Sequence, residues 1–505
     1  MTSATEPLQA EPRTYGNWNR PSTPGLIPGL GMIGTTIMFS GLVLMVMFIM
    51  AGNWAISIGI LAITGITLLL IAVKDIHGRS LAGRIVVIAA WKRGRAKKRT
   101  IYQSGLLGIS NHGEHRLPGL LAPMRLYESH DAAHRPFAVV YSPQQHTYTV
   151  VIGTSPSGED LVDSDQIDLW VARWGRFQAD MGDEPGLTSF SVTVETAPAT
   201  SARLRREVEL NMVDDAQPFS VAVLKDVLSS YPKGSNSVQA YVALTYSDMQ
   251  TAGSRRRRRD EMIGDLMTRM PHLTSALEAT GAGACTPLGA RELCETIRIA
   301  YDPAVCTQFD DMHASGERGD IEWEECGPVA ARNNWDHYMH DSGISVTWEM
   351  TEAPRGVVHA NVLSRLLSPQ HDVLRKRVTL LYRPISPART PDIVETDART
   401  ADFAVNSADK PSARALRRQK AARQTANEEA SGAGMVNFGM LVTVTMDHNR
   451  NRADVMATLD NLAASARIRI RPVYGSQSSA FAACLPLGLN LRQHLMIPAE
   501  FTDKL

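Results

Sequence analysis

The first hundred residues contain a long interval without charged side chains. No Asp, Glu, Lys or Arg lies between Arg20 and Lys74, and two apolar stretches, "LGMIGTTIMFSGLVLMVMFIM" and "WAISIGILAITGITLLLIAV", flank a short "AGN". Each stretch has about the 20 residues that a helix needs to cross a hydrocarbon core of roughly 30 Å. The pattern predicts a two-helix transmembrane hairpin over residues 30–73, preceded by a tail over residues 1–29.

Beyond residue 100 the apolar positions follow the periods of strands and helices. A strand hairpin is predicted at "FAVVYSPQQHTYTVVIGT". A helix capped by Asp165 follows, with one apolar face formed by Ile167, Trp170, Val171, Trp174 and Phe177. Other predicted strands are "TSFSVTVET", "VQAYVALTYS", "GISVTWEM" and "RKRVTLLYRPI", and other predicted helices are "PFSVAVLKDVLSSY" and "VHANVLSRLLS". We interpret residues 101–386 as an α+β domain with mixed or antiparallel sheets, whose second half repeats the plan of the first.

Two long charged segments interrupt this pattern. Residues 253–280 are predicted to form one charged helical arm, and residues 387–434 a second, partly helical or disordered arm. "MVNFGMLVTVTM", a helix with Val455 and Leu459 on one face, "RIRIRPVY" and "SAFAACLPLGLN" then predict a β-α-β-α unit over residues 435–505. Pro486 and Gly488 end its last helix, on which Phe481 and Leu485 are predicted to pack inward.

Basic residues around the apolar interval predict its orientation. Arg13 and Arg20 precede it, and a basic run follows it: Lys74, Arg79, Arg84, Lys92, Arg93, Arg95, Lys97, Lys98 and Arg99. Because positive charge stays on the cytoplasmic side, both termini are predicted to be cytoplasmic in a multi-pass cell-membrane protein. Residues 74–100, with "GRSLAGRIVVIAAW" before the basic run, predict a helix at the membrane surface whose partner is anionic lipid.

The overall charge is balanced, with 52 basic and 52 acidic residues in a chain of 505, which argues against nucleic-acid binding by the whole chain. The sharpest local block is the run of five arginines Arg255, Arg256, Arg257, Arg258 and Arg259. We interpret this arginine block as a solvated helix start, with contact to an acidic partner surface as the alternative. DNA contact stays open, although the lack of interleaved aromatic residues disfavours it.

Five cysteines, Cys285, Cys294, Cys306, Cys326 and Cys484, form an odd set without a C-x-x-C pair. This predicts reduced, mostly buried thiols in a cytoplasmic domain, and no metal site.

Residues 310–340 contain the richest set of potentially catalytic side chains: Asp310, Asp311, His313, Glu322, Glu324, Glu325, Cys326, His337 and His340. Their spacing matches no metal or nucleophile constellation, since the two histidines of H-Y-M-H have no H-E-x-x-H partner and Cys326 has no evident base. A charged surface loop is the favoured interpretation, and a membrane-tethered hydrolase is the alternative.

Phosphate-binding and hydrolase motifs are absent from the sequence. No lysine follows a glycine, so there is no Walker A motif, and no G-x-S-x-G occurs. Gly29, Gly31 and Gly34 have the G-x-G-x-x-G spacing but lie at the start of an apolar span, where small residues favour close helix packing. We therefore predict a non-enzymatic protein without catalytic residues, metal or cofactor.

Two regions of the sequence resemble known protein families. The region from "YGNWNRPSTPGLIPGLGMIGT" to "WKRGRAKKRTIYQSG" resembles the small PrgI-type membrane components of conjugation systems. The order "YVALTYSD", charged arm, "MVNFGMLVTVTM", helix, "RIRIRPVY" and "SAFAACLPLGLN" resembles the non-motor domain that precedes the motor in conjugative type IV secretion ATPases. Together the regions resemble actinobacterial membrane proteins associated with integrative conjugative elements.

The resemblance implies an inner-membrane component of a conjugative, type IV secretion-like system that docks a separate motor ATPase and other membrane subunits. Contact with a partner is expected at the arginine block and at Phe481 and Leu485, and homo-oligomerisation stays open. The alternative in the same class is a core membrane component of a type VII secretion system, similar to the EccE proteins.

Overall fold

The computed structural model describes residues 15–16, 18, 31–73, 75, 80–105, 116–156, 158, 162–198, 208, 210–213, 217–230, 236–249, 253–317, 319–354, 356–370, 373–407 and 409–494. The helices are α1 Gly31–Met50, α2 Trp54–Ala72, α3 Leu81–Ala96, α4 Ser164–Asp183, α5 Pro218–Ser230, α6 Arg259–Leu277, α7 Ala290–Tyr301, α8 Cys306–Ala314, α9 Ser364–Leu367, α10 Thr390–Asn406, α11 Ala413–Ala430, α12 Arg452–Ser465 and α13 Gln477–Ala483. The strands are β1 Ile101–Gln103, β2 Arg125–His130, β3 Pro136–Ser142, β4 Thr147–Ser155, β5 Leu187–Pro198, β6 Asn236–Ser247, β7 Ala284–Pro287, β8 Ala330–Asn333, β9 Tyr338–His340, β10 Gly343–Glu352, β11 Arg375–Pro384, β12 Val436–Met446 and β13 Arg469–Pro472.

Two apolar helices, α1 and α2, follow one another and are in contact. The helices approach closely at Gly41, where a Cβ atom would lie 2.5 Å from the Thr64 side chain. Within the described residues, α2 alone is both long and apolar enough to cross a membrane, and only 11% of its most apolar window is buried. The sequence predicts two spans over residues 30–73, so the second span stays a prediction. Gly29, Arg13, Arg20, Lys74 and Arg79 lie outside the described residues.

All the strands belong to one antiparallel sheet. The order is β1-β8-β9-β10-β12-β11-β5-β6-β4-β3-β2, with β13 paired to β10 and β7 paired to β4. Strand β12 comes from the unit predicted at residues 435–505, yet it lies between β10 and β11 of the domain predicted at residues 101–386. The two predicted units therefore share one sheet, because β12 makes its backbone hydrogen bonds to strands on both sides.

The sheet contains two similar halves that meet at the pair β5–β11. One half has the order β5-β6-β4 with β7 added to β4, and the other has the order β11-β12-β10 with β13 added to β10. Strands β5 and β11 are antiparallel neighbours, and the hydroxyl groups of their paired residues Thr193 and Thr379 lie 3.0 Å apart. This arrangement supports the hypothesis of an internal repeat.

The repeat corrects the prediction of two equivalent charged arms. Helix α6 follows β6, and its counterpart in the second half is α12, which follows β12. Residues 253–280 do not form an arm, since Met262, Leu266 and Met270 of α6 are fully buried against the sheet. Apolar residues at every third or fourth position form one face of α6, and this face packs on the sheet. The preceding arginines favour the prediction of a solvated arm, although the apolar spacing is present in the sequence.

Residues 387–434 form a helical hairpin of α10 and α11, which pack against each other. Ion pairs join the two helices, Arg418 to Asp397 at 3.3 Å and Arg423 to Asp402 at 3.1 Å. The hairpin connects the neighbouring strands β11 and β12, and its counterpart in the first half is the connection that contains α5.

Two local predictions need correction. The cap of α4 is Asp163, while Asp165 lies inside the first turn, where an acidic side chain is favoured by the helix dipole. The helix predicted at "VHANVLSRLLS" is reduced to a 3₁₀ turn, Ala360–Leu363, and the short α9.

Candidate functional site

The arginine block lies at the start of α6, as predicted, and its members are held by acidic neighbours. Arg257 contacts Asp265 at 2.6 Å, while Arg255 contacts Glu261 at 3.2 Å. The block also has further contacts: Arg256 lies 3.9 Å from Asp248, Arg258 3.6 Å from Glu261, and Arg259 3.2 Å from Asp260. Every arginine of the block thus has a carboxylate partner, and Glu261 is shared by Arg255 and Arg258.

Aromatic side chains lie beside the block, although none is interleaved with it in the sequence. The guanidinium carbon of Arg259 lies 5.1 Å from the ring centre of Tyr127, and Tyr127, Tyr141 and Tyr148 form a row with ring centres 6.5 and 4.7 Å apart. Strand pairing brings the tyrosines to α6, so a sequence window cannot reveal the cluster.

The C-terminal segment, residues 477–490, lies against one face of the sheet. Phe481 and Leu485 are fully buried, which confirms that they pack inward. The same burial corrects their assignment as partner contacts, because a side chain without exposed surface cannot contact a partner in this conformation.

Gly488 packs closely against the first half of the sheet. Its φ is +68°, and a Cβ atom would overlap the hydroxyl oxygens of Thr149 and Thr245. Cys484 makes the corresponding contact to the second half, where its carbonyl accepts a hydrogen bond from Thr379 and its sulfur lies 3.1 Å from Thr443 Oγ1. The segment therefore covers both halves at once.

A cavity of about 260 Å³ lies between the sheet and the end of this segment. It is lined by Ser191 and Thr245 from the first half, Tyr382 and Asn437 from the second, and Asn490. The polar groups are spread over strands from both halves, and no acid–base pair is among them.

A charged cluster of Glu195, Arg375 and Arg377 is buried where the halves meet. Both arginines contact the Glu195 carboxylate, and all three side chains are almost fully buried. Burial by itself would raise the pKa of Glu195, but Arg377 and Arg375 together hold it below its ordinary value. The guanidinium of Arg377 also lies 5.5 Å from the Phe481 ring centre, so the cluster supports the C-terminal segment.

Sequence reasoning missed this cluster. The only signal is "RKR" at the start of a predicted strand, where Arg375 and Arg377 share one face and Lys376 takes the other. Lys376 is buried too, its ammonium donates to the Ser368 carbonyl, and burial lowers its pKa to about 8. The partner Glu195 lies in another half of the sheet, so its role depends on the fold.

The residues of the 310–340 cluster have separate partners. His313 pairs with Glu295 at 3.0 Å, His337 contacts Asp336 at 2.7 Å, and the buried Cys326 thiol donates to the Trp323 carbonyl. In the described part of the chain, no group of three or more His, Cys, Asp and Glu side chains is arranged to hold a metal ion. The hydrolase alternative therefore lacks a common site among these residues.

His340 belongs to a buried polar chain. Its Nδ1–H donates to the Tyr301 carbonyl, while Nε2 lies 2.7 Å from Ser345 Oγ, which in turn lies 2.7 Å from Thr445 Oγ1. Burial lowers the pKa of His340 to about 4, so the imidazole is neutral at neutral pH. Cys285, Cys294, Cys326 and Cys484 are also buried, and all five cysteines are free thiols.

Helix α3 links the apolar helices to the edge of the sheet. Trp91 packs edge-on against Trp335 with ring centres 5.3 Å apart, and Trp335 stacks on Tyr474. Ile85 and Val86 remain exposed on the same helix. One side of α3 thus holds the domain, and the other side retains the apolar surface expected of a membrane-surface helix.

Helix α5 presents an apolar surface to solvent. Phe219 is 78% exposed, and Val223, Leu224 and Val227 are exposed beside it. This spacing places the four side chains on one broad face, which the residues that the structure describes leave exposed. The connection containing α5 leaves the sheet at the end of β5.

Residues 23–82 match the family model of a domain of unknown function, DUF8461. The match includes α1, α2 and the first residues of α3. No curated protein matches the chain.

Proposed function

We propose that this protein is a non-enzymatic inner-membrane component of a conjugative, type IV secretion-like system, and that it docks a separate motor ATPase. In this proposal α1 and α2 form a two-span hairpin, both termini are cytoplasmic, and α3 lies on the inner membrane surface with its basic residues at anionic lipid. The system class follows from the resemblances at the two ends of the sequence.

The exposed apolar face of α5 is the observation that carries the docking proposal. Exposed contiguous apolar surface marks a site of interaction, because its removal from water is favourable. Trp18, in the chain that leads to α1, contacts Phe438 at the start of β12, whereas α5 follows the opposite end of β5. A partner on α5 would therefore bind at the sheet end opposite the membrane-linked tail.

Anchoring also supports docking by raising local concentration. A partner that approaches the membrane meets α5 in a fixed orientation, so a modest apolar contact is enough for recruitment. Phe219 is the most exposed side chain of this face, and aromatic side chains that become buried in an interface contribute a large share of the binding energy.

The test is affinity isolation of the tagged full-length protein from crosslinked native membranes, followed by mass spectrometry. We expect a motor ATPase among the crosslinked partners, with crosslinks near α5, and no nucleotide hydrolysis by the purified protein alone. The variant Phe219→Ser/Val223→Ser/Val227→Ser should lose the ATPase, while Leu169→Ser on the exposed surface of α4 should retain it.

Recovery of the ATPase by the α5 variant at the level of the parent would contradict the docking site. Intrinsic ATP hydrolysis would contradict the non-enzymatic role. Recovery of type VII secretion subunits in place of a conjugation ATPase would transfer the protein to the alternative EccE-like class. A topology reporter at Gly52 tests the hairpin independently, because two spans place Gly52 outside the cytoplasm.

A further inference from the structure

The helical hairpin of α10 and α11 has an uneven charge distribution. Its first helix carries four acidic residues, Asp392, Glu395, Asp397 and Asp402, and one basic residue, Arg399. Its second helix carries five basic residues before its first acidic one, Glu428: Arg414, Arg417, Arg418, Lys420 and Arg423. The hairpin is therefore acidic on one helix and basic on the other.

Ion pairs between the helices neutralise only part of the basic charge. Arg418 and Arg423 are paired with Asp397 and Asp402. Arg414, Arg417 and Lys420 are exposed, and none of them forms an ion pair with any other residue that the structure describes. Three positive charges on about two helical turns are thus left for an external partner.

Apolar side chains accompany these charges near the tip of the hairpin. Phe403 is 73% exposed on α10 and Leu416 is 46% exposed on α11. A surface that combines cations with exposed aromatic and aliphatic groups suits the boundary between lipid headgroups and acyl chains. It suits a nucleic acid less well, because the phosphate backbone offers nothing to Leu416.

The base of the hairpin is attached to the chain that leads into the membrane. The Ile385 amide donates to the Met435 carbonyl at 2.9 Å and closes this base, and Phe438 lies three residues farther along. Trp18 packs on Phe438 with ring centres 6.5 Å apart, and Tyr15 pairs with Val358. Tyr15 and Trp18 precede α1, so the hairpin arises next to the segment that enters the apolar helices.

We propose that Arg414, Arg417 and Lys420 of α11 bind anionic lipid headgroups, which gives the protein a second, electrostatic membrane contact beside α3. The inference rests on the proposed membrane anchoring by α1 and α2, and it does not depend on the docking of an ATPase. Helix α3 lies at one edge of the sheet, and the hairpin lies at the end of the central strands β11 and β12. The α+β region would therefore be held at the membrane at two points. Two points of attachment fix its orientation more firmly than a single flexible linker does.

Hydrogen–deuterium exchange on the full-length protein in nanodiscs tests this contact. Discs of phosphatidylcholine alone are compared with discs that also contain phosphatidylglycerol. We expect residues 410–424 to exchange more slowly in the anionic discs, by about fivefold for each charge that reaches the surface. High salt should remove the difference, because headgroup attraction is screened within about a Debye length.

Charge-neutral and charge-conserving variants separate electrostatics from folding. Arg414→Gln/Arg417→Gln/Lys420→Gln should lose the lipid-dependent protection, since glutamine keeps the helix propensity but not the charge. Arg414→Lys/Arg417→Lys/Lys420→Arg should retain it. Equal exchange of the parent protein in both kinds of disc, or protection that needs an added protein, would overturn the inference.

Insertion into the discs reports the proposed anchoring separately, because it depends on α1 and α2. A protein that inserts but shows no lipid-dependent protection of α11 would contradict only the hairpin contact. A protein that does not insert at all would contradict the anchoring and, with it, the hairpin contact.

Discussion

Three ionised side chains of the charged cluster lie in the middle of the sheet, where water does not reach. Glu195 on β5 faces Arg375 and Arg377 on the neighbouring β11, so a single carboxylate serves two guanidinium groups. The cluster crosses the boundary between the two halves and contacts Phe481 of the C-terminal segment. Such a buried set is sensitive to the loss of any one member, because the remaining charges cannot be hydrated.

Glu195→Gln should destabilise the protein by about 3–5 kcal/mol, the usual cost of leaving a buried charge without its partner. The measurement is chemical unfolding of the parent and the variant in the same detergent. Glu349→Gln is the matched control, because the Glu349–Arg471 pair is partly exposed and its loss should cost about 1 kcal/mol or less. Similar losses for both variants would show that the cluster is not a special determinant of stability.

His340 should make stability depend on pH between about 6.5 and 4. Burial lowers its pKa to about 4, so in this interval the unfolded chain binds a proton that the folded chain does not. The free energy of unfolding is therefore not reduced by this histidine above pH 6.5. It decreases as the pH drops from 6.5 towards 4, with a slope of at most about 1.4 kcal/mol per pH unit.

Unfolding free energies measured from pH 7 to pH 4 check this dependence. His340→Gln should have a smaller slope than the parent in the same interval, even if its stability at pH 7 is lower. The carboxylates and the other histidines contribute equally to the pH dependence of both proteins. The difference between the two slopes therefore reports His340. Identical slopes would contradict the assignment to His340.

At the residue scale, the sequence predicts burial better than partnership. The inward packing of Phe481 and Leu485 follows from helical spacing, and the structure confirms it. The pairing of Glu195 with Arg375 and Arg377 depends on which strands meet, and local sequence does not carry that information. The arginine block differs, since most of its carboxylate partners lie within the first turns of α6 and are visible in the sequence.

At the element scale, the spacing of apolar residues and the charge content predict different packing for the two segments that were predicted as arms. Helix α6 has a continuous apolar stripe that binds it to the sheet, in spite of the five arginines before it. Helices α10 and α11 have short apolar stripes, centred on Val394, Ala401, Ala421 and Ala422, which suffice only to cover each other. The size of the buried side chains therefore distinguishes a core helix from a projecting one, and the charge content does not.

Deletion of the hairpin should leave the rest of the fold intact. Pro384 and Val436 are paired across β11 and β12, so replacing residues 386–434 by Asn-Gly should join the two strands through a short turn. We expect the melting temperature of the deleted protein to change by only a few degrees, because the hairpin buries mostly alanine and valine. Loss of cooperative unfolding would contradict this independence, and deletion of 259–277 should cause such a loss.

At the scale of the whole molecule, the C-terminal segment holds two similar half-sheets together. Its Gly488 lies against Thr149 and Thr245, and its Cys484 lies against Thr379 and Thr443. The sequence predicts an α+β fold and hints at the repeat, but it separates residues 435–505 as a further unit. The long-range insertion of β12 between β10 and β11 has no local signature, since any strand with a matching apolar face could occupy that place.

The repeat predicts that the protein can be divided between its halves. Fragments 1–318 and 319–505, expressed together, should associate, because the β5–β11 ladder and the C-terminal segment both cross the division. A second fragment that ends at residue 476 lacks Phe481, Leu485 and Leu487, whose burial contributes about 1.5–3 kcal/mol each. Affinity isolation through a tag on the first fragment measures the association. We expect strong recovery of 319–505 and little of 319–476, since the ladder alone leaves the apolar face formed by Val140, Val151 and Ala243 exposed to water. Equal recovery of the two fragments would show that the central ladder is sufficient and that the C-terminal segment only covers the sheet.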